Sequence, residues 1–260
     1  MSMMTATYPL AGAKSERAHT AAPERRVWGF WATLGWFGVA CVSFLAASVV
    51  AGLAYGIWWG LTKRGVALDI NAPMIELLAT VMSMPAAALA LVLASRKRGW
   101  TVREYLALKM PRMRHVAYGA AALVGFFALA SVAGYFFPSM DQSEHMLGVY
   151  RAVMAEGPWS LVLLWIILVV SAPVAEEIIF RGFLMRGWSA TRLGAIGALV
   201  LTSVIFASIH TQYNLPGMAV VCGLGLMFGA ARLWSGSTVL SIGMHAAWNL
   251  TMGILLALSV

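Results

Sequence analysis

Seven long apolar runs constrain this chain more than any other feature of its sequence. A helix needs about 20 residues to cross the roughly 30 Å hydrocarbon core of a bilayer, and every run approaches or exceeds that length. Hydrophobic residues make up 61% of the 260 residues and charged residues only 11%. A soluble domain of this size could not bury that much apolar surface. The runs lie at about 27–62, 73–95, 115–137, 159–185, 194–210, 215–233 and 237–258.

We therefore predict an all-α fold, a polytopic transmembrane helical bundle with about seven membrane helices. The range is six to eight, because the first run, 27–62, is too long for one upright crossing.

The runs divide the chain into three segments. Residues 1–26 are polar and contain no apolar signal-peptide core, which predicts a disordered N-terminal tail. Residues 27–158 would form the N-terminal membrane helices and include a basic cytoplasmic loop at 96–114. That loop would lie on the anionic inner membrane surface as a partly amphipathic segment, or be solvated and act only as a topology signal. Residues 159–258 form the third segment, which carries the motifs below.

Lysine and arginine are distributed unevenly among the loops. With the N-terminus inside the cell, 14 of the 18 lie in inside segments, three lie in outside segments, and Arg181 lies within a helix. The positive-inside rule then predicts a multi-pass protein of the cell (inner) membrane with a cytoplasmic N-terminus. Because the net charge of +8 comes from these loops, we predict the lipid bilayer as a partner and no nucleic acid.

Several ionisable residues fall inside the apolar runs. Because a charge at membrane depth costs free energy, such residues are functional candidates. Glu177 and Arg181 are four residues apart, so they share a helix face and are predicted to pair. Glu176 points about 100° away from Glu177 and has no helical partner of opposite charge. It therefore stays available as a base or an acid. Two histidines, His210 and His245, also lie in the apolar runs.

Four of the polar residues are predicted to lie at a similar depth in the membrane. At about 1.5 Å per helical residue, the distances from the nearest loops place Glu176, His210, His245 and Asn249 in the middle half of the hydrocarbon core. His245 and Asn249 are four apart and project from one face of the last helix. Interhelical hydrogen bonds that only hold the bundle together remain an alternative, but they give no reason for a common depth.

Missing motifs narrow the chemistry. The sequence contains no His-Glu-x-x-His, which leaves a zincin-like site unsupported. Its two aspartates, Asp69 and Asp141, lie in loops, so an intramembrane aspartyl pair is also unsupported. No Gly-x-Ser-x-Gly elbow is present, which argues against serine hydrolysis. A glutamate, two histidines and an asparagine remain.

Three motifs on successive late helices carry a family resemblance. They are Glu-Glu-x-x-x-Arg at 176–181, Phe-x-x-x-His at 206–210 and His-x-x-x-Asn at 245–249. This set resembles the CPBP intramembrane proteases, which include the CAAX prenyl endopeptidases and the bacterial Abi proteins linked to bacteriocin processing or immunity. The resemblance covers about residues 159–258. It implies a glutamate-type intramembrane endopeptidase that acts on a membrane-associated peptide or protein, of prenylated or CAAX-like type.

The resemblance also implies roles for individual residues. Glu176 would be the general base that activates a water molecule, and His210 would hold and polarise that water. His245 and Asn249 would donate hydrogen bonds to the oxyanion. The supporting residues would be Glu177, Arg181 and Phe206.

A metal is the open question in this assignment. Members of the family are often labelled metalloproteases, and Glu176, His210 and His245 would be the zinc ligands if a metal is present. The spacing matches no recognised zinc motif, and neither histidine has a carboxylate partner apparent in the sequence. We expect no obligatory cofactor, with zinc as the alternative.

Two other functions remain alternatives. A non-catalytic membrane scaffold or bacteriocin-immunity protein would be favoured by loss of a motif residue, and none is lost. A proton-coupled transporter could use a buried Glu/His set, but it would more often show a repeat and helices broken at matching places.

Overall fold

The structure is a computed structural model that describes residues 26–63, 65–69, 72–97, 99–138 and 143–259. These residues form helices and contain no strand, which confirms the predicted all-α polytopic bundle. Six of the described helices are long and apolar enough to cross a membrane, at the lower end of the predicted range. The predicted tail at 1–26 lies outside the described residues except for Arg26.

The helices follow the predicted runs closely, with three differences. The short helix α3 and the helix α5 occupy segments for which no membrane helix was predicted, and α7, with 15 residues, is too short to be counted among the spanning helices. The bounds are α1 (Phe30–Thr62), α2 (Pro73–Arg96), α3 (Val102–Tyr105), α4 (Met113–Phe136), α5 (Ser143–Ala155), α6 (Pro158–Ser189), α7 (Gly194–Ser208), α8 (Leu215–Ser235) and α9 (Thr238–Ala257).

Helix α6 is the central element and contacts α1, α2, α5, α7, α8 and α9. Two π-helical stretches, Ile167–Ser171 and Ile178–Leu184, interrupt it. Between them lies the α-helical stretch Ala172–Glu177. π-Helical turns inside α-helices are rare and often occur at functional sites. Four large side chains of α6 have almost no exposed surface: Phe180, Arg181, Phe183 and Trp188.

Local capping residues set the ends of α8 and α9. The Asn214 side-chain oxygen accepts a hydrogen bond from the Gly217 N–H at 2.9 Å, which caps the start of α8. Gly236 ends α8 in the left-handed conformation, with φ of 66°, where glycine has no Cβ penalty. Ser237 caps α9 by accepting from the Leu240 N–H at 3.2 Å. A tight hairpin thus places α9 beside α8 and against α6.

The basic loop at 96–114 folds against the end of the bundle. A capping box between Thr101 and Glu104 caps the N-terminus of the short helix α3. Leu106 is completely buried, and its carbonyl accepts a hydrogen bond from Thr238 Oγ1 at 2.6 Å. The described part of the loop therefore packs over the start of α9 through its apolar residues, while its charged side chains, such as Arg103 and Arg112, are exposed.

Gly187 permits the close contact between α6 and α1. A Cβ added to Gly187 would clash with the Thr33 side chain. We expect Gly187→Ala to lower the free energy of unfolding by about 1–3 kcal/mol through overpacking, measured as thermal unfolding in detergent. Gly243→Ala on α9 is the matched control, because nothing lies within 4 Å of its added Cβ. Adding Thr33→Ala to Gly187→Ala should recover part of the loss; equal stability of Gly187→Ala and Gly243→Ala would contradict this packing.

Candidate active site

The structure brings the predicted site residues together from three parts of the chain. Glu176 and Glu177 lie on α6, and His245 and Asn249 lie on α9. His210 lies in the turn at 209–214, which joins α7 to α8. His210, His245 and Asn249 line one cavity, and Glu176 faces His245 across 3.8 Å.

The position of His210 differs from the prediction that α7 continues to residue 210. The helix ends at Ser208, and the His210 backbone N–H bonds to the Ala207 carbonyl at 3.0 Å. Its Nδ1 instead donates to the Phe206 carbonyl at 2.6 Å, the acceptor that the backbone N–H of residue 210 would use in a continuing α-helix. The side chain thus competes with the helical hydrogen bond at this position. Since a carbonyl only accepts, Nδ1 carries a proton, and in the tautomer with its one proton on Nδ1 the other nitrogen, Nε2, is an acceptor.

The predicted pair of Glu177 and Arg181 is confirmed. Glu177 Oε1 lies 2.9 Å from Arg181 Nη1, and both side chains are fully buried. The same oxygen also accepts from His245 Nδ1 at 3.0 Å. The expectation that neither histidine has a carboxylate partner is therefore wrong for His245. Residues 177 and 245 lie on different helices, so spacing along one helix cannot show this contact.

Arg181 is held from several sides inside the bundle. Its Nη2 donates to the Gly225 carbonyl of α8 at 3.0 Å. The guanidinium carbon lies 4.5 Å from the centroid of the Phe206 ring and within 6 Å of the Phe180 and Phe228 rings, a distance at which aromatic faces attract cations. These contacts fix the positive charge in place next to Glu177.

Glu176 has a different environment from its neighbour. Its side chain is only 8% exposed, and its Oε2 has no hydrogen-bond partner among the described residues. The nearest ionisable atom recorded for this carboxylate is His245 Nε2, at 3.8 Å. His245 therefore stands between two carboxylates, hydrogen-bonded to Glu177 through Nδ1 and facing Glu176 through Nε2.

A cavity of about 640 Å³ opens beside this cluster, within the size range of ligand-binding pockets. Its walls are mostly apolar side chains of α4, α8 and α9. The Asn249 amide at its edge donates one hydrogen bond to the Leu168 carbonyl, at 2.8 Å, in the first π-helical stretch of α6. An amide nitrogen carries two hydrogens, so a second donor remains. The polar lining residues are Tyr135, His210, Tyr213, His245 and Asn249, with Ser131 and Ser259.

Tyr213 is a lining residue that sequence reasoning missed. Its ring lies parallel to that of His210, with centroids 6.2 Å apart, and its hydroxyl contacts Met146 Sδ at 3.6 Å. Burial raises the pKa of Tyr213, with a smaller contribution from the charge of Glu176, so the phenol stays protonated at neutral pH. Tyr213 lies in an irregular turn, where helical periodicity gives no signal.

The residues do not fit a zinc centre. Glu176 and His245 offer two donor atoms 3.8 Å apart, but no group of three or more His, Cys, Asp or Glu side chains in the described residues could hold a metal ion. Catalytic zinc sites use three protein ligands. The chemistry below is therefore derived without a metal.

Comparison with known proteins supports the family resemblance. Residues 158–251 match the family model of type II CAAX prenyl endopeptidase, Rce1-like, which confirms the resemblance predicted from the three motifs over this segment. The chain is also similar to an uncharacterized 24.3 kDa protein of Escherichia coli, with 34% identity over 89 residues. That similarity covers 33% of this chain and 40% of the E. coli protein. No solved structure matches the chain.

The buried ion pair predicts a strong effect of Glu177 on stability. Glu177→Gln leaves the buried cation of Arg181 without a counter-charge, so we expect a loss of about 3–5 kcal/mol in the free energy of unfolding. Glu76→Gln is the control, because Glu76 is exposed near the start of α2. The measurement is thermal unfolding of both variants in the same detergent. Indistinguishable unfolding curves would contradict the role assigned to the pair.

Proposed function

We propose that the chain is an intramembrane endopeptidase that hydrolyses a peptide bond in a membrane-associated substrate. The observation that carries the proposal is the buried carboxylate of Glu176, which is outside the ion pair of Glu177 with Arg181. Its Oε2 lies 3.8 Å from Nε2 of His245, and His245 lines a cavity of about 640 Å³. The match of residues 158–251 to an Rce1-like peptidase family supports the same reaction class. A prenylated or CAAX-like peptide is the substrate type that this family suggests. The inner membrane and a cytoplasmic N-terminus belong to the same proposal.

Glu176 acts as the general base in this proposal. Its carboxylate takes a proton from a water molecule, and the water oxygen forms a bond to the peptide carbonyl carbon. The carbonyl oxygen then carries the negative charge of a tetrahedral intermediate. When the C–N bond breaks, Glu176 returns the proton to the departing amine nitrogen. Water is the only co-reactant: its hydroxyl group ends on the new carboxylic acid and its proton on the amine.

His210 orients the water. Its Nδ1 is committed to the Phe206 carbonyl, so its Nε2 is left as a hydrogen-bond acceptor. This acceptor in the cavity lining directs one hydrogen of the water and leaves an oxygen lone pair for attack. Tyr213, stacked on the His210 ring, helps to hold that ring in position.

His245 and Asn249 stabilise the oxyanion. In the proposed mechanism the ring of His245 donates through Nε2, the nitrogen that faces Glu176. The second amide hydrogen of Asn249 is the other donor, since the first is bound to the Leu168 carbonyl. Preorganised donors contribute most in a site that excludes water. Glu177 is a positioning residue, because its hydrogen bond to Nδ1 fixes the ring of His245.

The first test removes the base and keeps its shape. Purified wild type and Glu176→Gln are assayed against a library of membrane peptides, with Glu76→Gln as the control. We expect cleavage by wild type and Glu76→Gln and no detectable cleavage by Glu176→Gln, at equal yields of folded protein. Cleavage by Glu176→Gln at the wild-type rate would refute Glu176 as the base.

A second test concerns the oxyanion donor. Asn249→Ala should lower kcat by roughly 10²–10³ with little change in KM, because the interaction strengthens only in the transition state. A rise in KM at constant kcat would instead show that Asn249 contributes only to substrate binding.

A third test concerns metal dependence. Activity should survive prolonged incubation with a zinc chelator followed by its removal, because no step uses a metal. Elemental analysis is made on wild type, His210→Ala and His245→Ala. One zinc per chain that disappears in both variants, together with activity restored only by zinc, would reassign Glu176, His210 and His245 as ligands.

A further inference from the structure

We propose that a pocket at the end of the bundle where the basic loop 96–114 packs binds a phosphate group, and that this phosphate belongs to the headgroup of an anionic phospholipid. The pocket lies between the last turn of α6 and the segments that precede α1 and α3. It shares no lining residue with the cavity beside His245. The inference therefore does not depend on the proposed peptidase function.

Three parts of the chain form the walls of this pocket. Its volume of about 620 Å³ is within the range of ligand-binding pockets. The lining residues are Arg26 and Val27 before α1, Trp100 before α3, and Arg186, Ser189 and Ala190 at the end of α6. They include two arginines and, in the described part of the chain, no carboxylate. The pocket is therefore suited to an anion.

Arg186 is the residue that we expect to bind the phosphate. It lies in the last turn of α6, is half-buried, and forms no ion pair with a carboxylate among the described residues. Its Nε is buried and has no hydrogen-bond partner there. A partly desolvated cation without a counter-charge is costly. An anion in the pocket would supply the missing charge.

The Trp100 ring holds the guanidinium of Arg186 in place. The guanidinium carbon lies 5.1 Å from the ring centroid, a distance at which an aromatic face attracts a cation. The ring is itself braced, because its Nε1 donates to the Arg26 carbonyl at 3.4 Å and it packs edge-on against the buried Tyr105. Contact with a ring face occupies none of the N–H donors of the guanidinium. These donors can form the paired hydrogen bonds with which arginine binds phosphate.

A purely structural role at the end of α6 explains Arg186 less well. A cation near a helix C-terminus is favourable because it complements the helix dipole. Here hydroxyl groups already satisfy two carbonyls of the last turn. Ser189 Oγ donates to the Arg186 carbonyl at 3.2 Å, and Thr191 Oγ1 donates to the Trp188 carbonyl at 2.7 Å. The Nε of Arg186 donates to neither, so its charge is left for another partner.

The surroundings of the pocket favour a lipid headgroup over a free phosphate ion. Because α6 is long and apolar enough to cross a membrane, its last turn would lie near the headgroups. Trp31, four residues after the lining residue Val27, is 78% exposed and offers an apolar surface to acyl chains. Residues 96–114 include seven Lys and Arg but one acidic residue, Glu104. Basic pockets at the ends of membrane helices bind the headgroups of anionic lipids.

The ligand is tested by native mass spectrometry of the full chain in a neutral detergent. The probes are phosphatidylglycerol, phosphatidylcholine with the same acyl chains, and inorganic phosphate. We expect the wild type to retain phosphatidylglycerol and to bind phosphatidylcholine at least about tenfold more weakly, because the choline cation cancels the charge of its phosphate. We expect no binding of inorganic phosphate.

Two variants change the pocket, and each has a matched control. Ala190→Glu adds a carboxylate at an exposed lining position, and Ala190→Gln is its neutral control. Arg186→Gln removes the cation, and Arg103→Gln changes an exposed arginine of α3 that does not line the pocket. We expect Ala190→Glu and Arg186→Gln each to weaken phosphatidylglycerol binding at least about tenfold. Both controls should bind it as the wild type does. Since Ala190 is exposed, its variants test the site even if Arg186→Gln fails to fold.

Three outcomes would contradict the proposal. Equal binding of phosphatidylglycerol by wild type and Ala190→Glu, or equal losses in Ala190→Glu and Ala190→Gln, would overturn the site. Equal binding of phosphatidylglycerol and phosphatidylcholine would overturn the selection for an anion. Inorganic phosphate that binds the wild type and displaces phosphatidylglycerol would support the phosphate site and overturn the lipid as its source.

Discussion

The ion pair between Glu177 and Arg181 is the interaction on which the rest of the site depends. One carboxylate oxygen accepts from Arg181 on its own helix and from His245 on α9, and the guanidinium donates to the Gly225 carbonyl of α8. Three helices are thus joined around two buried charges. Such a pair is tolerated at membrane depth because each ion is the counter-charge of the other, although Glu177 Oε2 and Arg181 Nε have no hydrogen-bond partner among the described residues. The bond from His245 to Glu177 Oε1 fixes the position of the His245 ring.

The neighbouring Glu176 lacks the hydrogen bonds to Arg181 and His245 that hold Glu177. Glu176 is buried, and its Oε2 has no hydrogen-bond partner among the described residues, in a stretch of α6 between two π-helical segments. Consecutive residues of an α-helix point about 100° apart, so adjacent glutamates in this stretch can serve different faces. Glu177 joins three helices, and in the proposed mechanism Glu176 is the carboxylate that reacts. The difference follows from the partners of each residue, since both have the same chemistry.

Much of this arrangement could be predicted from the sequence because it is local. The pairing of Glu177 with Arg181 follows from i,i+4 spacing, and apolar runs predict the membrane helices. Contacts between distant segments could not be predicted in the same way. The bond from His245 to Glu177 joins residues 68 positions apart. In the turn with His210 and Tyr213, the His210 side chain bonds to the Phe206 carbonyl that a helical backbone N–H would otherwise use. Leu106 packs at the start of α9 from a loop whose sequence has no helical periodicity.

The hydrogen bond from His245 Nδ1 to Glu177 Oε1 joins α9 to the buried ion pair and thereby positions the site. Nitrogen-15 NMR of the purified protein, with labelled histidine and the His245 resonances assigned by substitution, measures this bond most directly. We expect Nδ1 of His245 to carry a directly bonded hydrogen in the wild type, and its resonance to shift in Glu177→Gln but not in Glu76→Gln. A His245 Nδ1 resonance that is the same in all three proteins would contradict this contact.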